Sequence, residues 1–176
     1  MNRPARLNDG RIWLRAPEPE DLDLLWKIEN DTGIWPVSCN VMPYSRHQLA
    51  KYIAESSHDF MSDRQIRFIV CRSDDSTPVG CVDLTDIDPY NGRAEVGIAL
   101  LPEFRGQGLA AAALALLAAY AADTLHLHQL FAYVPADNGA SMDLFLKAGF
   151  SSSGRLRDWL SGEDNYSDVE FLQKIL

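Results

Sequence analysis

The sequence predicts a single domain of the α/β (α+β) class with about seven strands and four helices. Segments with the two-residue alternation of a strand and segments with the spacing of an amphipathic helix follow one another along the 176-residue chain. A glycine-containing turn at residues 105–110, Arg-Gly-Gln-Gly-Leu-Ala, also joins a strand-like segment to a long Ala/Leu helix. With 47% hydrophobic residues, a chain of this length can bury one core. We therefore interpret residues 1–176 as one domain.

The N-terminal part begins with a strand and two helices. Residues 11–15 alternate polar and apolar side chains, which is typical of a half-buried strand. Residues 18–30 carry apolar side chains at helical spacing behind an acidic first turn, and a second helix is expected at about 45–56 with Ser45 as its N-cap. Residues 30–44, between these helices, contain prolines, a glycine and aromatic residues. This composition predicts a loop that is able to cover a site.

Six more strands and two more helices complete the predicted order. Polar turns separate the strands, and Gly149 is expected to end the last helix in the way of a C-cap glycine. The predicted strands span residues 65–72, 79–87, 94–101 and 129–134. Two more strands follow, one before and one after a turn at 161–165. One predicted helix follows the glycine turn, and the other spans about 140–147.

The glycine turn is suited to presenting backbone N–H groups to a phosphate. Gly106 and Gly108 allow the backbone to approach a ligand without an intervening Cβ, and the helix that follows begins with unpaired N–H groups and the positive end of its dipole. The turn does not match a dinucleotide fingerprint, because Ala111 replaces the third glycine, and it lacks the Gly-Lys-Ser/Thr of a nucleoside-triphosphate loop. A Gly-x-Gly turn without any ligand is an equally common feature of α/β proteins, so the turn alone leaves both interpretations open.

Charge and hydropathy exclude several classes of function. A formal net charge of −9 argues against a nucleic-acid partner and weakly favours a cationic one. The sequence contains no run of about 18 apolar residues and no apolar core of a signal peptide at its start. We therefore expect a cytoplasmic protein that does not bind membranes. His126 and His128 lie beside a predicted strand without an evident third ligand, so no metal site is expected.

Three features together resemble the GCN5-related N-acetyltransferases, the GNAT superfamily, over residues 11–176. They are the order of elements, the turn at 105–110, and Asp-Asn at 137–138 followed by a helix and by Lys-Ala-Gly-Phe at 147–150. Arg-Ala-Glu at 93–95 and the segment 154–159 are similar to the branch that contains ribosomal-protein N-terminal acetyltransferases and bacterial spermidine N-acetyltransferase. The resemblance implies a mixed, mostly antiparallel central sheet that is splayed in the middle for acyl-CoA. It also implies a homodimer or a higher homo-oligomer.

The resemblance further implies where acetyl-CoA, the expected co-substrate, is held. The fourth strand would hydrogen-bond the pantetheine arm, the glycine turn with the first helical turn would hold the pyrophosphate, and the next helix would line the other side. The residues implied are, in that order, Ile98, Ala99 and Leu100; Arg105, Gly106, Gln107, Gly108, Leu109, Ala110 and Ala111; and Asn138, Phe145 and Lys147.

The chemistry implied is direct attack of a primary amine on the thioester in a ternary complex, without a protein nucleophile. Glu95 is the candidate base, and a plain sheet residue paired with Arg93 is the alternative. Phe145 stands where many relatives have a tyrosine that protonates the leaving thiolate. Either the thiolate leaves unaided, or Ser141 donates the proton, or the chain is an inactive descendant. The alternative for Ser141 is an ordinary serine in the first turn of a helix that makes a local hydrogen bond.

Asp83 and Asp86 are the candidate acidic residues for a cationic acceptor, because the spermidine enzyme also carries acids there. Surface acids of this kind also serve solubility. The acidic pair in that enzyme's loop is Val41-Met42 here, so Trp35 and Met42 either line a more apolar acceptor pocket or pack in the core. We expect a polyamine-like small molecule or a peptide N-terminus as acceptor. A non-catalytic CoA-binding sensor or partner protein is the alternative, and a purely structural domain is a third possibility.

Overall fold

The computed structural model describes residues 7–35, 42–55, 59–162 and 165–176, and its elements follow the predicted order. Seven strands form one sheet in the order β1-β2-β3-β4-β5-β7-β6. The strands are β1 Ile12–Arg15, β2 Ile66–Arg72, β3 Pro78–Asp88, β4 Arg93–Leu100, β5 Gln129–Pro135, β6 Ser151–Ser161 and β7 Tyr166–Ile175. The described α-helices are α1 Leu22–Glu29, α2 Arg46–Glu55, α3 Phe60–Asp63, α4 Leu109–Asp123 and α5 Gly139–Lys147. Single 3₁₀ turns lie at Pro19–Asp21 and Pro102–Phe104.

All neighbouring strands of the sheet are antiparallel except β4 and β5, which are parallel. This is the mixed, mostly antiparallel sheet that was predicted. The four predicted helices are present, and Ser45 caps α2 as expected. Its Oγ accepts from the N–H of Gln48 at 3.2 Å, and Oε1 of Gln48 accepts from the N–H of Ser45 at 2.8 Å. The short helix α3 was not predicted, because one turn is too short to show a helical period.

Two apolar clusters fill the two faces of the sheet. Helices α4 and α5 cover one face, where Leu117 and Leu130 are buried. Helices α1 and α2 cover the other face over β1, β2 and β3, where Leu25 and Ile69 are buried, and this second cluster contains no residue of β5, β6 or β7. Within the described ranges, no helix combines the length and the hydropathy that a membrane span needs.

Candidate active site

Strands β4 and β5 diverge halfway along β4. They pair only at Arg93–Gln129, Ala94–Leu130 and Glu95–Phe131, whereas β4 remains paired with β3 as far as Leu100. Because alternate residues of a strand direct their N–H and C=O groups to opposite neighbours, the second half of β4 directs backbone groups into the gap. The predicted splay of the sheet is therefore confirmed. The residues expected to contact pantetheine, Ile98, Ala99 and Leu100, lie along this gap.

The glycine turn follows β4 after one 3₁₀ turn and begins α4. Gly106 and Gly108 have φ angles of +74° and +76°, a region that L side chains rarely adopt. Gly108 is the N-cap of α4, and no side chain caps this helix. The N–H groups of the first turn, which Leu109, Ala110 and Ala111 supply, are therefore free of intrahelical partners. A Cβ on Gly106 would meet no atom within 4 Å. An uncapped helix start with open space beside it fits a phosphate group.

The two polar side chains of the turn contact the protein itself. Nε of Arg105 donates to the carbonyl of Leu100 at 2.9 Å, and Nε2 of Gln107 donates to the carbonyl of Glu103 at 3.0 Å. The backbone N–H of Arg105 donates to the carbonyl of Pro102. These contacts fix the shape of the turn.

Arg11 lies beside the same helix start and was not identified from the sequence. Its Nη1 would be 3.7 Å from a Cβ on Gly108. Its Nε and Nη2 donate to Oδ2 of Asp9 at 3.4 and 3.3 Å, so the Asp9 carboxylate orients the guanidinium. A cation beside a helix N-terminus is unfavourable unless an anion lies nearby. Arg11 precedes β1 and is remote from the turn in sequence, so local spacing carries no signal for this contact.

Glu95 lies at the point where β4 and β5 diverge. It is the last β4 residue with a partner on β5, and its side chain is half-buried. Burial raises the pKa of the Glu95 carboxyl, and the charge of Asp86 raises it further. Arg93, the alternative partner of Glu95, forms an ion pair with Asp88 at 3.2 Å instead. A half-buried carboxyl with a raised pKa beside an opening in the sheet has the properties of a general base.

Helix α5 carries the remaining candidates. Asn138 is its N-cap, and Oδ1 of Asn138 accepts from the N–H of Ser141 at 3.0 Å. The ring of Phe145 is buried and packs edge to face on Phe150, with centroids 5.0 Å apart. Lys147 is exposed and lies 3.8 Å from a carboxylate oxygen of Asp143. Phe145 is therefore a core ring with no polar atom to offer, and its contact with a cofactor stays a prediction.

The two acidic acceptor candidates have different environments. Asp83 accepts from Nε and Nη2 of Arg67 at 2.9 and 2.7 Å, and Nη1 of Arg67 also donates to Glu29 at 2.6 Å. Burial alone would lower the pKa of Arg67, but the charges of Asp83 and Glu29 raise it well above its usual value. Asp86 is exposed at an irregularity of β3 and has a φ of +46°. The Asp83 carboxylate is thus already paired with a cation, whereas the negative charge of Asp86 acts on Glu95.

Trp35 lies next to this buried ion cluster. Its Nε1 donates to the carbonyl of Glu29 at 2.8 Å, and its ring is half-buried. Met42 is 70% exposed, so the core-packing interpretation of Met42 is wrong. Val41 lies outside the described residues.

Two cavities lie at opposite ends of β4. One of about 450 Å³ lies between the end of α1 and the segment 100–105, beside the glycine turn. The other, of about 370 Å³, lies at the N-terminal end of β4 and is lined by charged residues and by the rings of Phe131, Tyr133 and Phe171. In the described part of the chain, no group of three or more His, Cys, Asp or Glu side chains is placed to hold a metal ion.

Comparisons with known proteins agree with this geometry. A family model described as an acetyltransferase (GNAT) domain matches residues 11–151. The chain is 32% identical over 147 residues to spermidine N(1)-acetyltransferase of Escherichia coli K12, covering 82% of this chain and 75% of the relative. It is 29% identical over 160 residues to an uncharacterized N-acetyltransferase, p20, of Bacillus licheniformis, covering 90% and 89% of the two chains.

Solved structures show the same fold. The crystal structure of spermidine N-acetyltransferase from Vibrio cholerae in complex with CoA and spermine has a TM-score of 0.85 to this chain at 24% identity, and the match covers 95% of this chain and 96% of the other. The family model spans most of the sequence, and a relative above 30% identity covers 82% of this chain. The chain belongs to the GNAT acetyltransferase family, as its glycine turn and element order predicted, and it is an N-acetyltransferase.

Proposed function

We propose that this enzyme transfers an acetyl group from acetyl-CoA to a primary amine by direct attack in a ternary complex. The observation that carries the proposal is the position of Glu95, a half-buried carboxyl at the point where β4 and β5 diverge. A base at this point is close to the opening through which both reactants can meet. Holding two reactants together supplies much of the rate enhancement in such a reaction.

The cofactor is proposed to lie along β4 and the glycine turn. Acetyl-CoA supplies the acetyl group as a thioester. The backbone of Ile98–Leu100 would hydrogen-bond the pantetheine arm, and the uncapped N–H groups at the start of α4 would hold the pyrophosphate. The free backbone groups of the gap and the open space at Gly106 support this assignment. Arg11, which Asp9 orients beside Gly108, is proposed to contribute a positive charge to the same phosphates.

Proton transfer is proposed to involve Glu95 and, for the departing thiol, either Ser141 or no protein group. The C–N bond forms as the C–S bond breaks, and the Glu95 carboxylate takes the proton that the amine loses, directly or through one water. A thiolate is a weak base that needs little help at neutral pH. Phe145 cannot donate a proton, and Ser141, half-buried in the first turn of α5, is the hydroxyl closest in sequence to that position.

The acceptor class is proposed from two considerations. Relatives are named spermidine N(1)-acetyltransferase and ribosomal-protein-serine acetyltransferase, which makes small amines and protein N-termini the first acceptors to test. The net charge of −9 also favours a cationic acceptor. A dodecameric structure of the Vibrio cholerae spermidine N-acetyltransferase supports the proposal that this chain is a homo-oligomer as well.

Acetylation is tested by free-thiol release from acetyl-CoA with a panel of amines, and the acetylated product is identified by mass spectrometry. The panel contains spermidine, spermine, diamines, monoamines and ribosomal-protein N-terminal peptides. We expect release that depends on one class of amine, with a mass increase of one acetyl group on that amine. Binding of acetyl-CoA without thiol release for any amine would favour the non-catalytic CoA-binding alternative, which the buried Phe145 motivates.

A further inference from the structure

Helices α1 and α2 cover only the β1–β3 part of their face of the sheet. The part of that face over β5, β6 and β7 carries a continuous group of aromatic rings. The ring centroids of Phe131, Tyr133 and Phe171 lie 5.3–5.8 Å apart in all three pairs. Trp159 on β6 stacks on Tyr133 at 6.4 Å with an interplanar angle of 17°. We call these four rings the aromatic wall. Tyr133 and Trp159 are 39% and 56% exposed, so part of the wall faces solvent, which is unusual for such large rings on a sheet.

Register connects this wall to Glu95. Glu95 pairs with Phe131 across β4 and β5, and Tyr133 pairs with Phe171 across β5 and β7. Because register partners direct their side chains to the same face and every second residue of a strand shares that face, Glu95 and the three rings of Phe131, Tyr133 and Phe171 face the same side. The base candidate therefore lies at one edge of the wall.

A cavity of about 370 Å³ lies against the wall, within the range of small-molecule sites. Its charged rim consists of Asp86, Asp88, Arg64 and Arg93, so the formal charges of the rim cancel. Asp88 accepts from both the N–H and Nδ2 of Asn91 and lies 3.2 Å from Arg93. After the hydrogen bonds from Asn91, the charges of Arg93 and Arg64 also lower the pKa of Asp88, so both arginines of the rim act on Asp88. Asp86 is left as the negative group of the rim, and its charge acts on the neighbouring Glu95. This arrangement provides for one ammonium group and not for several.

We infer that the acceptor is a small primary amine with a flat apolar body, such as an arylalkylamine, whose body lies on the aromatic wall while its nitrogen approaches Glu95. Rings contribute apolar contact area and stack on flat groups at offsets of the kind seen within the wall. The pairing of Asp83 with Arg67 removes a second carboxylate that an oligocation would need. The inference rests on the proposed amine acetylation and narrows its acceptor.

The first test compares acceptors on the unaltered enzyme. Thiol release is measured with 2-phenylethylamine, butylamine, putrescine and spermidine. We expect kcat/KM to be highest for 2-phenylethylamine, by about tenfold over butylamine, because one ring face buries enough apolar area for that ratio. A preference for spermidine over both monoamines would overturn the inference while leaving amine acetylation intact.

The second test removes rings from the wall. Tyr133→Ala and Phe171→Ala are each expected to raise the KM for 2-phenylethylamine about tenfold and to leave the KM for acetyl-CoA unchanged. Tyr133→Phe keeps the ring, so its KM for 2-phenylethylamine should equal that of the unaltered enzyme. Tyr166→Ala is the matched control, because Tyr166 is a 64% exposed strand tyrosine outside the wall. An unchanged KM in Tyr133→Ala and Phe171→Ala, both folded by circular dichroism, would refute the inference.

A binding measurement separates failure of the wall from failure of catalysis. Titration of 2-phenylethylamine is followed by tryptophan fluorescence, since Trp159 stacks on Tyr133. Saturable quenching that Trp159→Phe abolishes is expected even if no amine is acetylated. Absence of saturable quenching in the unaltered protein would contradict the wall as a binding surface.

Discussion

The two ends of the cleft along β4 offer different groups to a ligand. At the glycine-turn end, the groups open to a ligand are mainly backbone N–H and C=O groups of residues 98–111, and Arg11 is the proposed side-chain contribution. Nε of Arg105 and Nε2 of Gln107 brace that stretch. At the opposite end, side chains from β3, β4, β5 and β7 converge, and β4 and β5 are paired there through Glu95. Backbone conformation should therefore control cofactor binding, and side-chain identity should control catalysis and acceptor binding.

The largest expected effect is the loss of stability when the ion pair between Asp83 and Arg67 is removed. Asp83→Asn leaves the Arg67 guanidinium, which is 13% exposed, without its two-bond partner. We expect a loss of about 3 kcal/mol in the free energy of unfolding, because two charge-assisted hydrogen bonds are weakened and only Glu29 remains to balance the charge of Arg67. Urea denaturation measures this loss. Asp74→Asn is the control, since its ion pair with Arg72 is exposed and its loss should change the free energy of unfolding much less.

If Asp83 instead contacts the amine directly, the result will differ in kind. The KM for the amine would then rise in Asp83→Asn while the free energy of unfolding stayed near its original value. That outcome would contradict a purely structural role for Asp83.

Glu95→Gln is expected to lower kcat by about 100-fold, because a general base typically contributes on that scale. The KM for acetyl-CoA should be unchanged, since the glycine turn is untouched. Steady-state thiol release gives both values. Glu55→Gln, at the exposed end of α2, should have neither effect. A kcat within about twofold of the original would exclude Glu95 as the base.

Gly108→Ala tests the backbone end of the cleft. The N-cap φ of +76° costs roughly 1–2 kcal/mol for a residue with a Cβ, and relaxation of that strain would misalign the N–H groups of α4. We expect the dissociation constant of acetyl-CoA to rise about tenfold, measured by calorimetry. Gly149→Ala is the control, because Gly149 has a similar φ of +89° at the end of α5. Equal weakening in both variants would indicate a general loss of stability.

Arg11→Gln should weaken acetyl-CoA binding by about threefold, because an exposed charge contributes little more than this in water. The effect should shrink as salt increases, since the guanidinium is 62% exposed. Calorimetry at two salt concentrations measures it. Arg155→Gln, another exposed ion-paired arginine, serves as the control. Weakening that is independent of salt would argue against an electrostatic role.

The smallest expected effect is a pH shift. Burial and then the charge of Asp86 raise the pKa of Glu95, so Glu95 stays protonated, and inactive as a base, up to a higher pH. Asp86→Asn removes one of these causes, and the low-pH limb of the kcat profile should move to lower pH. Asp88→Asn is the control. Asp88 lines the same cavity but is not among the causes of the raised pKa of Glu95, so the kcat profile of Asp88→Asn should not move. A shift to higher pH in Asp86→Asn would contradict this electrostatic coupling.

Much of the fold, including the glycine turn that begins α4, could be predicted because its signals are local. The glycine N-cap of α4, the Ser45–Gln48 capping pair and the Asn138 N-cap each lie within a few residues of one helix start. The acceptor end could not be predicted in the same way. Arg67 reaches Asp83 and Glu29 over separations of 16 and 38 residues, and the aromatic wall depends on the register of three strands. Such contacts are fixed by tertiary pairing, which leaves no spacing pattern in the sequence.

The measurement that tests direct transfer most closely is the initial velocity with acetyl-CoA and the amine both varied. Attack within a ternary complex requires both reactants to be bound at once, so double-reciprocal plots should give intersecting lines. Parallel lines would indicate that the acetyl group passes through a covalent enzyme intermediate. That result would contradict the absence of a protein nucleophile on which the proposed roles of Glu95 and the cleft depend.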